Sequence, residues 1–174
     1  GSFQDTFGVS DLVMRIRGAR PDDAEALAAM WNVMIRETLF TFTTEEKSPG
    51  GIAAMIKDRP GAFWVADAPE PVGFVTYGQF RAGPGYAASV EHSIVLTQSA
   101  QGHGIGRALM TKAFGSAAQQ GRHVMMAAIS GTNPGAVAFH SALGFLPVGR
   151  LPEVGRKHDQ WIDLILMQKM LSGR

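Results

Sequence analysis

Cysteine is missing altogether from the 174 residues. That excludes a disulfide scaffold, a metal site built on thiolates and a thiol nucleophile. Charge of either sign is thin: 18% of residues are charged, 16 basic against 15 acidic, for a formal net charge of +1. With no run of Lys or Arg, the chain offers no basic face of the kind that holds nucleic acid. No apolar run approaches a membrane span, and the N-terminus lacks a signal-peptide pattern. Histidines are few, and His103, His123 and His158 are scattered with no H-x-x-x-H pair, so no metal is expected. These absences predict a cytoplasmic protein with neither a nucleic-acid nor a membrane partner.

What is present is enough for a core. Hydrophobic residues make up 45% of a chain the size of one ordinary domain. Gly1-Ser2 reads as the scar of a cleaved tag and residues 3–11 carry no clear pattern, so 1–11 are expected to be a flexible N-terminal extension and 12–174 a single domain. Residues 12–20 alternate apolar and basic side chains, as a strand does. Pro21-Asp22-Asp23 then opens a helix. A loop follows at 39–51, then a short helix at 51–58. "AFWVADAPEPVGFVTYGQF" gives two strands about an Ala-Pro-Glu-Pro turn, and residues 87–96 give another. After "AQGHGIGRALM" comes a helix of about four turns, ending at Gly121. The strand "HVMMAAI", a short helix "NPGAVAFHSAL" stopped by Gly144, and the strands "FLPVG" and "HDQWIDLILMQKML" complete the order. Hairpins first and crossovers later predict a mixed α/β sheet of about seven strands.

The glycines of residues 100–110 either make a plain turn or bare the backbone for an anion. A Walker A loop fails, because Arg107-Ala108 stands where Lys-Ser/Thr is needed. A dinucleotide fingerprint also fails, since the spacing is G-x-G-x-G and no acid follows roughly 20 residues on. What remains is Gln101-x-x-Gly104-x-Gly106 between a strand and a helix. There, consecutive N–H groups and the helix dipole suit a pyrophosphate. Taken alone, three glycines favour the anion only slightly over a turn needing positive φ.

This stretch resembles the pyrophosphate loop, Q/R-x-x-G-x-G/A, of the GCN5-related N-acetyltransferases (GNAT). Asn133, Phe139-His140 and Leu143-Gly144-Phe145 resemble the same superfamily's N-x(5)-[LF]-[YH]-x(3)-GF signature. "ETLFTFTTE", "VEHSIVL" and "GRLPEVGRKHDQWIDLILMQ" are similar to segments of one branch, the phosphinothricin/methionine sulfoximine acetyltransferases. The resemblance spans roughly residues 12–170. It implies the GNAT fold, with helices on both faces of a twisted mixed sheet and the cofactor between splayed central strands. It also implies acetyl-CoA as donor, a small amino-acid-like amine as acceptor, and a homodimer. The turn "LTQS" at 96–99 departs from the Pro-x-x-R usual in relatives, and "RAGPGYAAS" is richer in glycine.

The same resemblance assigns roles. Gln101, Gly102, His103, Gly104, Ile105, Gly106 and Arg107 hold the pyrophosphate, Ser93, Ile94 and Val95 form the strand edge along the pantetheine, Phe139 flanks that arm, and Asn133 bonds the arm or caps the helix it begins, two compatible roles. Glu91 is the base, within reach of the ammonium directly or through one water. By pattern alone it would pass for a surface acid, and the "VEHS" match reverses that. His140 stands where many members carry a tyrosine proposed as acid toward the thiolate. Arg81 is placed to clamp a substrate carboxylate, and Val90 and His92 flank the base. Read from the residues, Phe40 and Phe42 form a lid over the acceptor, or at least one of them is a hydrophobic anchor for its loop. Strand alternation turns the His92 side chain away from Glu91, which suits packing better than chemistry. Two rival readings are a protein or peptide N-acetyltransferase and a non-catalytic acyl-CoA-binding regulatory module.

Overall fold

A computed structural model describes residues 6–9 and 12–171. In chain order these form β1 (Thr6–Val9), β2 (Leu12–Gly18), α1 (Ala24–Glu37), α2 (Pro49–Asp58), β3 (Phe63–Asp67), β4 (Pro71–Gln79), β5 (Ser89–Leu96), α3 (Ile105–Gln119), β6 (Val124–Ser130), α4 (Pro134–Ala142), β7 (Leu146–Lys157) and β8 (Gln160–Met170). The sheet runs β1-β2-β3-β4-β5-β6-β8-β7 and is antiparallel throughout except between β5 and β6. One strand exceeds the expectation. Thr6–Val9, read above as part of a flexible extension, pairs with β2; residues 1–5, 10 and 11 of that stretch lie outside the described residues.

Helices pack on both faces. α1 and α2 bury Leu27, Trp31, Ile35, Ile52 and Ile56 with Phe74 of β4 and Val95 of β5. α3 lays Ile105, Leu109, Met110, Ala113 and Ala117 on the other face, at the spacing of a single helical stripe. Local chemistry fixes the ends. Ahead of α1, the Asp23 carboxylate accepts both terminal nitrogens of Arg17 at 2.8 Å and the Arg20 N–H at 2.7 Å. α3 begins behind Gly104 at φ +76° and gives way to Gly121 at φ +79°, conformations natural to glycine.

β7 differs most from its sequence. Only "FLPVG" reads as strand, yet pairing runs twelve residues, with register shifts at Pro147/Gly149 and Leu151/Gly155. Asp163 of β8 bridges the second irregularity: Arg150 and the Glu153 N–H both donate to its carboxylate. His158 and Asp159 join β7 to β8, both at positive φ (49° and 61°), as a two-residue hairpin turn requires.

Candidate active site

β5 and β6 pair for three residues only, Ser89–Glu91 against Val124–Met126, and then part. β5 stays bound to β4 as far as Leu96, and β6 to β8 as far as Ser130. A wedge-shaped gap therefore opens in mid-sheet. The direction of the β5 backbone follows from two bonds. Phe80 N–H donates to Ser89 O, and Thr97 N–H to Val72 O. Odd-numbered residues thus face β4, and the backbone groups of His92, Ile94 and Leu96 face the gap. Of the strand edge expected at Ser93, Ile94 and Val95, the Ile94 backbone is the part turned toward the opening. A cavity of about 170 Å³ occupies the gap.

Its two mouths differ. Toward α1 it is walled by Trp31, Met34, Phe40, Thr41, Glu91 and Ser93, and toward α4 by His92, Asn133, Ala136 and His140. Glu91 sits at the last paired residue of β5 and is half-buried. Among the described residues its carboxylate has no hydrogen bond or ion pair. Burial raises its carboxyl above the ordinary carboxylate range. A half-buried carboxylate with a raised pKa is chemically able to accept a proton near neutral pH.

At the α4 mouth stands the glycine loop. Gly102 and Gly104 adopt φ +80° and +76°, and a Cβ added at either would meet open space. The first helical bond of α3 is Ala108 N–H to Gly104 O. The N–H groups of Ile105, Gly106 and Arg107 therefore have no acceptor within the helix, and they lie at its positive end. His103 and Arg107 are exposed beside them. Gly106 lets α3 pack on α4, since a Cβ there would stand 3.1 Å from the Phe139 ring. Asn133 caps α4 by accepting the Ala136 N–H at 3.1 Å, and it also lines the gap. An exposed N–H cradle, an open-edged strand and a channel between them fit a pyrophosphate joined to an extended pantetheine arm.

His140 is buried, and both its ring nitrogens are engaged within the chain. Nδ1 donates to Ala136 O at 2.7 Å, while Nε2 lies 2.9 Å from Nε2 of His92. His92 in turn places Nδ1 3.0 Å from Met126 O. Two neutral imidazoles carry two protons between them, and these three contacts call for three. Burial opposes a third proton: it drives the His92 imidazole down to about 3, helped by the neighbouring His140, and pushes His140 below its ordinary range too. The expected acid thus has both ring nitrogens turned to protein atoms rather than to the gap. His92 lines the same gap and, through His140, also clasps β5 to α4.

Three other expectations shift. Val90 is 1% exposed and packs in the core beneath α3, because its side chain takes the face opposite Glu91. Arg81 lies on the turn after β4, its guanidinium over the Tyr86 ring at 5.8 Å, and it does not line the gap. Phe40 lines the gap, while Phe42 takes the anchor role: it packs against Gly155 of β7, where an added Cβ would fall 2.5 Å from its ring, and with Phe40 and Thr41 it lines a second hollow. Trp31, Met34 and Ser130 join the walls unannounced, since their apolar or small side chains read as core. Lys157 was also missed. Its buried ammonium donates to Thr38 O, Thr41 O and Thr41 Oγ1 at 2.8–3.0 Å, hanging the Phe40 loop from β7.

Residues 27–145 match the Acetyltransferase (GNAT) family. An L-amino acid N-acyltransferase of Escherichia coli (strain K12) is 32% identical over 165 residues, covering 92% of this chain and 96% of that protein. An L-methionine sulfoximine/L-methionine sulfone acetyltransferase of Pseudomonas aeruginosa is 39% identical over 105 residues, 60% of this chain and 61% of that one. A crystal structure of a phosphinothricin acetyltransferase from Sinorhizobium meliloti in complex with acetyl-CoA superposes with a TM-score of 0.85 at 28% identity, covering 90% of this chain and 88% of that one.

Proposed function

The chain belongs to the acetyltransferase (GNAT) family, and on that footing we propose that it acetylates the amine of a small amino-acid analogue such as methionine sulfoximine, methionine sulfone or phosphinothricin. The observation that carries this reading is Glu91: an unpaired, half-buried carboxylate at the point where β5 leaves β6. Acetyl-CoA, when bound, supplies the acetyl group as an activated thioester. On the α4 side, the N–H groups of Ile105, Gly106 and Arg107, with Gly102 and Gly104 keeping the approach open, hold the pyrophosphate, and the Arg107 guanidinium adds charge. Gln101 and His103 border that loop. Asn133 and the Phe139 ring flank the channel along which the arm lies. The Ile94 N–H, turned into the gap, is the donor placed to polarise the acyl oxygen.

On the α1 side, Glu91 takes the ammonium proton and leaves a free amine for direct attack; with no cysteine in the chain, no thiol-bound acyl-enzyme forms. A base at the mouth with a small cavity behind it suits a compact acceptor better than a folded protein tail. A cysteine-free chain also suits a reducing compartment, the cytoplasm. The exposed apolar side chains of β7 and β8, among them Leu146, Val148, Val154 and Trp161, suit a homodimer.

Thiol release from acetyl-CoA against a panel of amines tests the reading, with wild type beside Glu91→Gln. Turnover on the sulfoximine, sulfone and phosphinothricin is expected, with about 100-fold or greater loss in the variant. In wild type, kcat/KM should rise with pH through a carboxyl titrating above the ordinary carboxylate range, since only the ionised form accepts a proton; the variant should lack that limb. Turnover confined to peptides would transfer the assignment to a peptide acetyltransferase. Acetyl-CoA binding with no turnover on any amine would leave an acyl-CoA-binding module.

A further inference from the structure

Arg59 follows α2 and carries its guanidinium onto the sheet. There it lies flat on Gly78 of β4, so close that a Cβ at Gly78 would stand 2.8 Å from Nη2 and 3.0 Å from Cζ. One donor, Nη1, reaches Thr76 Oγ1 at 3.1 Å. The threonine hydroxyl itself donates onward to Ala62 O. Among the described residues no carboxylate pairs with this guanidinium. Burial accordingly lowers its basicity, with no acid to offset the effect. By contrast, Arg17 of β2 meets two aspartates. A half-buried cation with spare donors and no counter-ion is costly to keep unless an anion visits it.

Its position says which anion. Gly78 is the register partner of Glu91, and the bonds flanking that pair make it a hydrogen-bonded one, with Cα atoms about 5.5 Å apart. Directly opposite residues of an antiparallel pair project to the same face. The guanidinium over Gly78 and the Glu91 carboxylate are thus neighbours one strand apart, both on the α1/α2 face. One carries a positive charge without a partner and the other a negative charge without a partner. An α-amino acid presents the complement, an ammonium and a carboxylate on a single carbon.

We propose that Arg59 binds the α-carboxylate of the acceptor while Glu91 receives its ammonium, making the pair a zwitterion-recognition site. The proposal rests on the small-amine reading above and adds to it a specificity-determining residue: the group that reads the acceptor's α-carboxylate. It also gives Gly78 a purpose, since any side chain there would push the guanidinium off the strand.

The test compares methionine sulfone with its decarboxylated counterpart, 3-(methylsulfonyl)propylamine, in wild type, Arg59→Met and Arg59→Lys. Wild type should prefer the amino acid by about 10- to 100-fold in kcat/KM, the scale of one charge-assisted bidentate contact. Arg59→Met should lose most of that preference by raising KM for the amino acid. It should leave the decarboxylated amine and the KM for acetyl-CoA within about threefold. Arg59→Lys should fall between, because a point charge replaces a fork. It also serves as the readout if the methionine variant fails to fold. Equal use of acid and amine by wild type overturns the proposal, as does a preference that survives in both variants. Either result leaves the acetyltransferase assignment standing. Failure of wild type on every small amine would instead remove the small-amine reading itself.

Discussion

His92 and His140 meet through their Nε2 atoms at 2.9 Å while both Nδ1 atoms face backbone carbonyls. Such a clasp tolerates little added charge, and the sign of its effect on stability follows. In the unfolded chain both rings titrate near 6.5. In the folded protein burial holds both lower, His92 at about 3. Between those limits the unfolded state binds more protons, so acidification favours it. The urea midpoint of wild type should therefore fall as pH drops from about 6.5 toward 3, and fall more steeply than in the double variant His92→Gln, His140→Gln. Equal slopes would mean that the clasp does not titrate as a buried unit. Neither ring announced this in the sequence. The signature placed His140 and strand alternation turned His92 inward, but the two are 48 residues apart, and only the packing of α4 over β5 joins them. Glu91 was legible because its meaning lies in its immediate neighbours, "VEHS". Arg59 was not, since nothing local marks an arginine after a helix as facing a glycine on another strand.

Among the elements, the loop between α1 and α2 owes its position to β7. Lys157 spends all three ammonium protons on Thr38 and Thr41, Phe42 fills the hollow over Gly155, and Thr38 ties back to Met34 O at 2.7 Å. Replacing Lys157 with Met removes the donors and strands three part-buried oxygens, a loss of about 2 kcal/mol in unfolding free energy, read from the urea midpoint. Because Phe40 and Thr41 line the gap, KM for the amine should rise severalfold in that variant while KM for acetyl-CoA stays put. An unchanged amine KM would reduce Lys157 to a stability residue. The helices and inner strands were readable because periodicity, caps and glycine stops agree with one another over each of them. β7 was not. Pro152, Gly149 and Gly155 read as loop, and what keeps the strand going is the Asp163 carboxylate across the hairpin, a contact between strands that a linear pattern does not carry.

At the scale of the whole molecule, the proposed dimer face is the edge strand β7 with its neighbour β8, whose apolar side chains are still in water: Leu146 is 68% exposed, Val154 54% and Trp161 61%. Edges of this kind are generally blunted or covered. The double variant Val148→Asp, Val154→Asp should convert a dimer to a monomer in sedimentation equilibrium, and a dimer surviving both charges would place the contact elsewhere. Sheet order follows from strand and helix succession far better than from any single motif, which is why the mixed architecture was foreseeable. The eighth strand was not, because four residues without alternation carry too little pattern to read.

The parting of β5 from β6 has one more consequence. A sheet with helices on both sides is a wall, and this wall has a window between β5 and β6 whose two sills belong to different chemistries, Glu91 on one side and the glycine loop on the other. If the proposed sites hold, reactants entering from opposite sides do not compete for a doorway, and a ternary complex should assemble in either order with a separate exit for each product. An inhibitor joining both halves would have to be threaded through the window, and the length of its tether would be dictated by the thickness of the sheet.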